Sequence, residues 1–246
     1  ALGGSFSTIL LAQDSSSVAV YTAHEIVTLN PAQPVVDAVA VKDDRIIAVG
    51  SLEEIQQSLS GQSLTIDSRF DDLVLIPGLI NQHEHAWLAS LLFMTEILSI
   101  EDWVLPEKTV SRVSDAAEYR ERLRNAVEDH SDPSEVLYTW GFHQLFHGEL
   151  TRADLNEISD TIPIVVLQRS LHEQIHNTRA LEYFGIDQAM IDAAPESVQA
   201  QTNLAEGHFW EQGQSLIVPT VFADLFRPSR YIPALEKMEA YWHAAG

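Results

Sequence analysis

Leu75-Ile-Pro-Gly-Leu-Ile-Asn-Gln-His-Glu-His85 is the stretch on which the fold turns. It grows out of Leu73 to Ile76, an unbroken apolar run that reads as a strand buried on both faces. Pro77-Gly78 interrupts the run, and Leu79-Ile80 carries it on to a polar cluster closed by His83 and His85. Polar residues gathered just past a buried strand are where α/β folds place their chemistry. In an extended segment residues i and i+2 project to one side, so both imidazoles can reach one ion, while Glu84 points the other way. Neutral histidine nitrogen suits zinc and similar borderline ions. A catalytic ion needs three protein ligands and an open position, so the pair is part of a larger set. The plainer alternative is two polar histidines at a strand end with no metal.

Upstream, β-branched and aromatic residues from Val18 to Asn30 predict a strand ended by Asn30-Pro31, and Asp37 to Gly50 predicts a hairpin about Lys42-Asp-Asp-Arg45. Ser51-Leu-Glu-Glu54 has capping-box spacing, with Leu52, Ile55 and Leu59 on one helical face. Ser63 to Asp67 predicts another short strand. Downstream, helices are expected over Ser114–Asp129, Thr151–Ile158, Asn177–Phe184 (stopped by Gly185) and Tyr231–Ala245, the last with Ile232, Leu235, Met238 and Trp242 facing one way. Val136–Trp140 and Pro163–Gln168 read as strands, and 186–215 as polar and irregular.

Among 246 residues, 36 Asp and Glu stand against 14 Lys and Arg, a net charge of −22 that repels phosphate backbones and anionic lipid and so argues against nucleic-acid or membrane-surface binding. There is no apolar run of about 18 residues, the length of a membrane span. With no cysteine, disulfides and thiolate metal sites are excluded, leaving histidine and carboxylate as ligands. Residues 1–17 begin with Ala1 rather than Met and run from apolar to polar, which suggests the end of a secretory signal and a periplasmic or secreted protein. No Walker loop, Gly-x-Gly-x-x-Gly or Gly-x-Ser-x-Gly is present.

The segment Leu75 to His85 resembles the first-strand signature of the amidohydrolase superfamily, and the hairpin Asp37–Gly50 resembles the small sheet domain that precedes the barrel there. Trp140 to Leu155 and Pro163 to Leu181 are similar to the branch containing the N-substituted formamide deformylases, by which match His172 and Asn177 are corresponding positions. Asn81 stands where many members carry Asp.

The resemblance implies an α/β protein: a β-sandwich portion over 18–72, then over 73–246 the start of a (β/α)8 barrel carrying an inserted α/β segment at about 105–230. It implies a divalent metal, zinc, as one or two ions held by His83 and His85. The other ligands and the Asp general base are expected beyond residue 246, so this would be an incomplete N-terminal part. His172, His143 and His147 are the candidate substrate-binding residues. The implied reaction is hydrolysis of C–N bonds in amides, formamides or cyclic amides. Expected partners are an amide-type small molecule and the remainder of the protein or a complementing chain, with a homodimer left open. The alternatives are a non-catalytic binding module of amidohydrolase descent and a deaminase of the same superfamily.

Overall fold

The computed structural model describes residues 17–80 and 82–245. The expected signal remnant at 1–17 and the position of Asn81 therefore lie, all but Ser17, outside the described residues. The chain divides into two compact units, 1–81 and 82–246.

The first unit holds β1 (Val18–Val27), β2 (Val35–Lys42), β3 (Arg45–Gly50), α1 (Leu52–Ser58) and β4 (Leu64–Leu75). The sheet order is β3-β2-β1-β4, with β1 antiparallel to β2 but parallel to β4. Asp43 and Asp44 take positive φ values of 49° and 59° at the turn between β2 and β3, a conformation that short Asp side chains tolerate. Ser51 and Glu54 form the expected capping box, which presses Ile55 onto Val18, Val20, Ala38 and Ala40.

The strand and burial expectations for 63–76 fail in this unit. The strands expected at 63–67 and 73–76 are one continuous strand, β4, at the edge of the first sheet. Leu73 to Ile76 is consequently not a buried strand: Leu73 is 53% exposed and Ile76 62%, because among the described residues only β1 pairs with β4. The two compact units divide after residue 81. The sandwich expected here shows, among the described residues, as a single sheet with one helix on it.

In the second unit come α2 (Ala86–Ala89), β5 (Glu96–Ile97), β6 (Trp103–Val104), β7 (Thr109–Val110), α3 (Ala116–Glu128), β8 (Leu137–Phe142), α4 (Gln144–His147) and α5 (Arg152–Ile158). These are followed by β9 (Ile164–Gln168), β10 (Glu173–His176), α6 (Thr178–Phe184), α7 (Gln188–Asp192), α8 (Glu196–Gln199), β11 (Thr202–Asn203), β12 (His208–Trp210), α9 (Val218–Leu225) and α10 (Pro228–Ala245). A six-stranded mixed sheet runs β11-β12-β10-β9-β8-β5, and β6 pairs with β7. No sheet closes into a barrel among the described residues.

β9 lies inside this sheet with both faces covered. Val165 and Leu167 pack with Ala180, Leu181, Val221 and Leu225, while Ile164 and Val166 pack with Tyr119, Leu123 and Leu155. The region 186–215, expected to be irregular, instead holds two short α-helices, two strands and the start of a 3-10 turn at Glu211, because His208–Trp210 pairs with β10 and Asp187 caps α7. On α10, Ala234 and Met238 are buried and Ile232 is 53% exposed, so the inward face is rotated from the one expected.

Asn177, wholly buried, ties these elements together. Its Oδ1 accepts from the Ile164 and Ala180 amides at 2.9 and 2.8 Å, and its Nδ2 donates to the Ser159 and Ile162 carbonyls at 3.0 and 2.8 Å. Asn177→Ala leaves buried backbone groups unpaired and should cost on the order of 3 kcal/mol. Urea unfolding followed by tryptophan fluorescence measures this for the second unit, which holds all five tryptophans. A loss below about 1 kcal/mol, the worth of a single ordinary hydrogen bond, would contradict it.

Candidate functional site

His83 and His85 stand on the irregular segment past the end of β4, not at a strand end. Their rings nevertheless meet, with centroids 5.2 Å apart and planes at 82°. The His85 carbonyl accepts from the Ala89 amide at 2.9 Å, which opens α2, and the His85 amide donates to Glu84 Oε1 at 2.8 Å. Two imidazoles sharing a tetrahedral ion at about 2.0–2.1 Å from each nitrogen have ring centres roughly 5 Å apart, and the separation here is of that size. Among the described residues, no cluster of three or more histidines and carboxylates able to hold an ion forms around them or elsewhere.

His85 and Glu84 border a hollow of about 440 Å3 whose wall is apolar and aromatic, including Trp103, Trp140, Met238, Tyr241 and Trp242. Its shape is set by the fold. Gly141, at φ 110°, has no room for a Cβ against Ser99, and the Leu98 amide donates to the Trp140 carbonyl at 2.8 Å, which brings Trp140 to the sheet margin. Trp103 meets Trp140 edge to face at 5.5 Å. Tyr241 donates to the Val104 carbonyl at 3.0 Å, tying α10 to the β6–β7 ribbon. Met238 and Trp242, expected on one helical face, both line the hollow. Which residues those side chains would face is a tertiary fact that spacing does not carry.

The other candidates scatter. His172 sits 63% exposed by side chain on the turn between β9 and β10, its Nδ1 3.0 Å from Glu211. It follows Leu171, a left-handed residue (φ 63°) that does line the hollow. His143 caps α4, its Nδ1 accepting from the Leu145 amide at 3.4 Å. His147 is only 1% exposed. It stacks on Tyr119 at 4.6 Å, accepts at Nδ1 from the His143 amide, and donates from Nε2 to the Val113 carbonyl at 3.1 Å. With both nitrogens engaged in the core it has none left for a substrate, and burial holds its pKa below the usual value against the pull of that carbonyl. Gln144–His147 form a one-turn helix.

His176 ends β10. It is wholly buried between Phe184 and Phe209, its Nε2 is 3.2 Å from Gln174 Oε1, and its Nδ1 has no partner. Desolvation lowers its pKa from 6.5 to about 3. Because the folded value lies below the unfolded one, the unfolded chain takes the proton first. Stability is then full above about 6.5 and erodes as pH falls toward 3, by at most about 1.4 kcal/mol per pH unit. His176→Leu should flatten the fall in Tm between pH 7 and pH 4 relative to the unchanged chain, measured by thermal melts; parallel curves would contradict this.

No protein-family model matches the chain. Among curated proteins it is similar to Protein LONG AFTER FAR-RED 3 of Arabidopsis thaliana, 24% identical over 162 residues, which cover 65% of this chain and 25% of that one. Its fold is similar to that of an uncharacterized metal-dependent hydrolase from Pyrococcus horikoshii OT3, with TM-score 0.64 and 15% identity over 94% of this chain and 41% of the other. A second, from Pyrococcus furiosus, gives TM-score 0.63 and 14% identity over 93% and 42%. The chain thus has a fold found in part of each Pyrococcus protein, and spans about two fifths of those chains and a quarter of the plant protein.

Proposed function

We propose that this chain is part of a metal-dependent hydrolase that cleaves C–N bonds of amides, formamides or cyclic amides, with His83 and His85 as ligands of a divalent ion, zinc being the ion that suits them. The observation that carries the reading is the perpendicular imidazole pair, 5.2 Å between ring centres, whose second member borders an apolar hollow. The shared fold with two proteins called metal-dependent hydrolases supports it. On this reading the formamide-deformylase-like stretches at 140–155 and 163–181 mark the branch, and a (β/α)8 barrel is the architecture to which 73–85 contributes. The remaining metal ligands and the general-base Asp belong to parts of such a protein outside these 246 residues.

When bound, the ion supplies a water with its pKa lowered to about 7 and polarises the scissile carbonyl. This chain's residues supply placement. Glu84 holds the His85 amide and α2 starts from the His85 carbonyl, so the imidazole is carried on a fixed segment. The hollow takes water away from the apolar part of a substrate. His172, next to Leu171 of that wall, is offered as a hydrogen-bonding partner for a substrate polar group. Glu211 accepts a hydrogen bond from its Nδ1 and so orients the ring. His143, with Nδ1 occupied as a cap, has Nε2 to donate.

Zinc competition titrations against a chromophoric chelator test the assignment. His83→Ala and His85→Ala should each weaken zinc binding by more than the roughly 10–100-fold typical of outer-shell partners. Zinc bound by both variants as by the unchanged chain would refute the ligand pair.

A further inference from the structure

We propose that the hollow walled by Trp103, Trp140, Met238, Tyr241 and Trp242 is the specificity pocket of the site, and that it takes an uncharged aryl or cycloaliphatic ring. This deepens the metal-dependent hydrolase reading and rests on it for the pocket's role beside the reaction, but not for the binding itself.

Two observations converge on that ligand. Three of the chain's five tryptophans and one tyrosine meet in a hollow of about 440 Å3, within the roughly 300–1,000 Å3 usual for small-molecule sites. Rings of this kind present large flat apolar faces whose preferred neighbours are other rings and aliphatic groups. The second observation is charge. The polar residues of the wall are Glu84 and His85, and the chain carries −22 overall, so an anion entering this hollow meets a carboxylate and a repulsive field.

The hollow is made from parts distant in sequence: the start of α2, the β6–β7 ribbon, the end of β8 and the last turns of α10. Met238 is 3% exposed and stands at its base with Leu92 and Ile97, so a larger side chain at 238 reduces the space a ring can enter.

Benzamide is the probe, titrated into the chain labelled with 15N at tryptophan in buffer containing chelator, and read by two-dimensional NMR of the indole N–H groups. The Trp103, Trp140 and Trp242 signals should shift together and saturate, while Trp210, which packs against His208 on β12, should stay in place. Benzoate should bind at least about tenfold more weakly than benzamide, and Met238→Trp should weaken benzamide by a similar factor. Indole signals unmoved by benzamide would overturn the proposal using the unchanged chain alone. So would a Met238→Trp chain that melts like the original yet binds benzamide equally well. Benzamide shifts as described, together with zinc affinity unaffected by His85→Ala, would sink the metal assignment and leave the pocket. Zinc bound through His83 and His85, together with silent indoles, would sink the pocket alone.

Discussion

The burial of Ile164–Gln168 on both faces is the constraint from which the second unit is built. A strand with apolar side chains on both sides must be covered twice, and the chain does so with α6 and α9 against Val165 and Leu167, and α3 and α5 against Ile164 and Val166. Asn177 then fixes how the strand leaves one layer and the next helix begins, by serving Ile164 and the first turn of α6 with the same carboxamide oxygen. The parallel neighbour β8 takes its register from β9, and its far end delivers Gly141 and Trp140 to the sheet margin.

The site inherits its geometry from that margin. Trp140 is placed by strand pairing, Trp103 by the ribbon, and Met238 and Trp242 by a helix whose buried stripe is Ala234 and Met238. His85 reaches the same place because it starts α2. The apolar wall and the imidazole therefore come from elements that have to pack for structural reasons, and the hollow between them is where packing stops.

Much of this was legible in the sequence where the signal is local. The capping boxes at Ser51 and Thr151, the Asn177 cap, the Gly185 stop and the hairpin about Asp43-Asp44 all form as their residue types dictate. His83 and His85 do meet, but on a backbone that is not the extended strand from which the spacing argument started. The misreadings share a cause. Leu73 to Ile76 is as apolar as a buried strand, yet hydrophobicity states a preference for burial and not the presence of a partner. His147 was a candidate substrate-binding residue, but its nitrogens are used by Val113 and by the His143 amide, a contact that no spacing rule reveals. His176 shows the same limit from the other side, since nothing local marks it as the most deeply buried of these imidazoles.

X-ray absorption at the zinc edge of the chain loaded with one equivalent of zinc tests most directly whether His83 and His85 share one ion. The account predicts first-shell nitrogen or oxygen scatterers at about 2.0–2.1 Å together with the outer-shell signature of two imidazoles, reduced to one when either histidine is replaced. A spectrum with no imidazole signature, or one that survives both replacements, would contradict it.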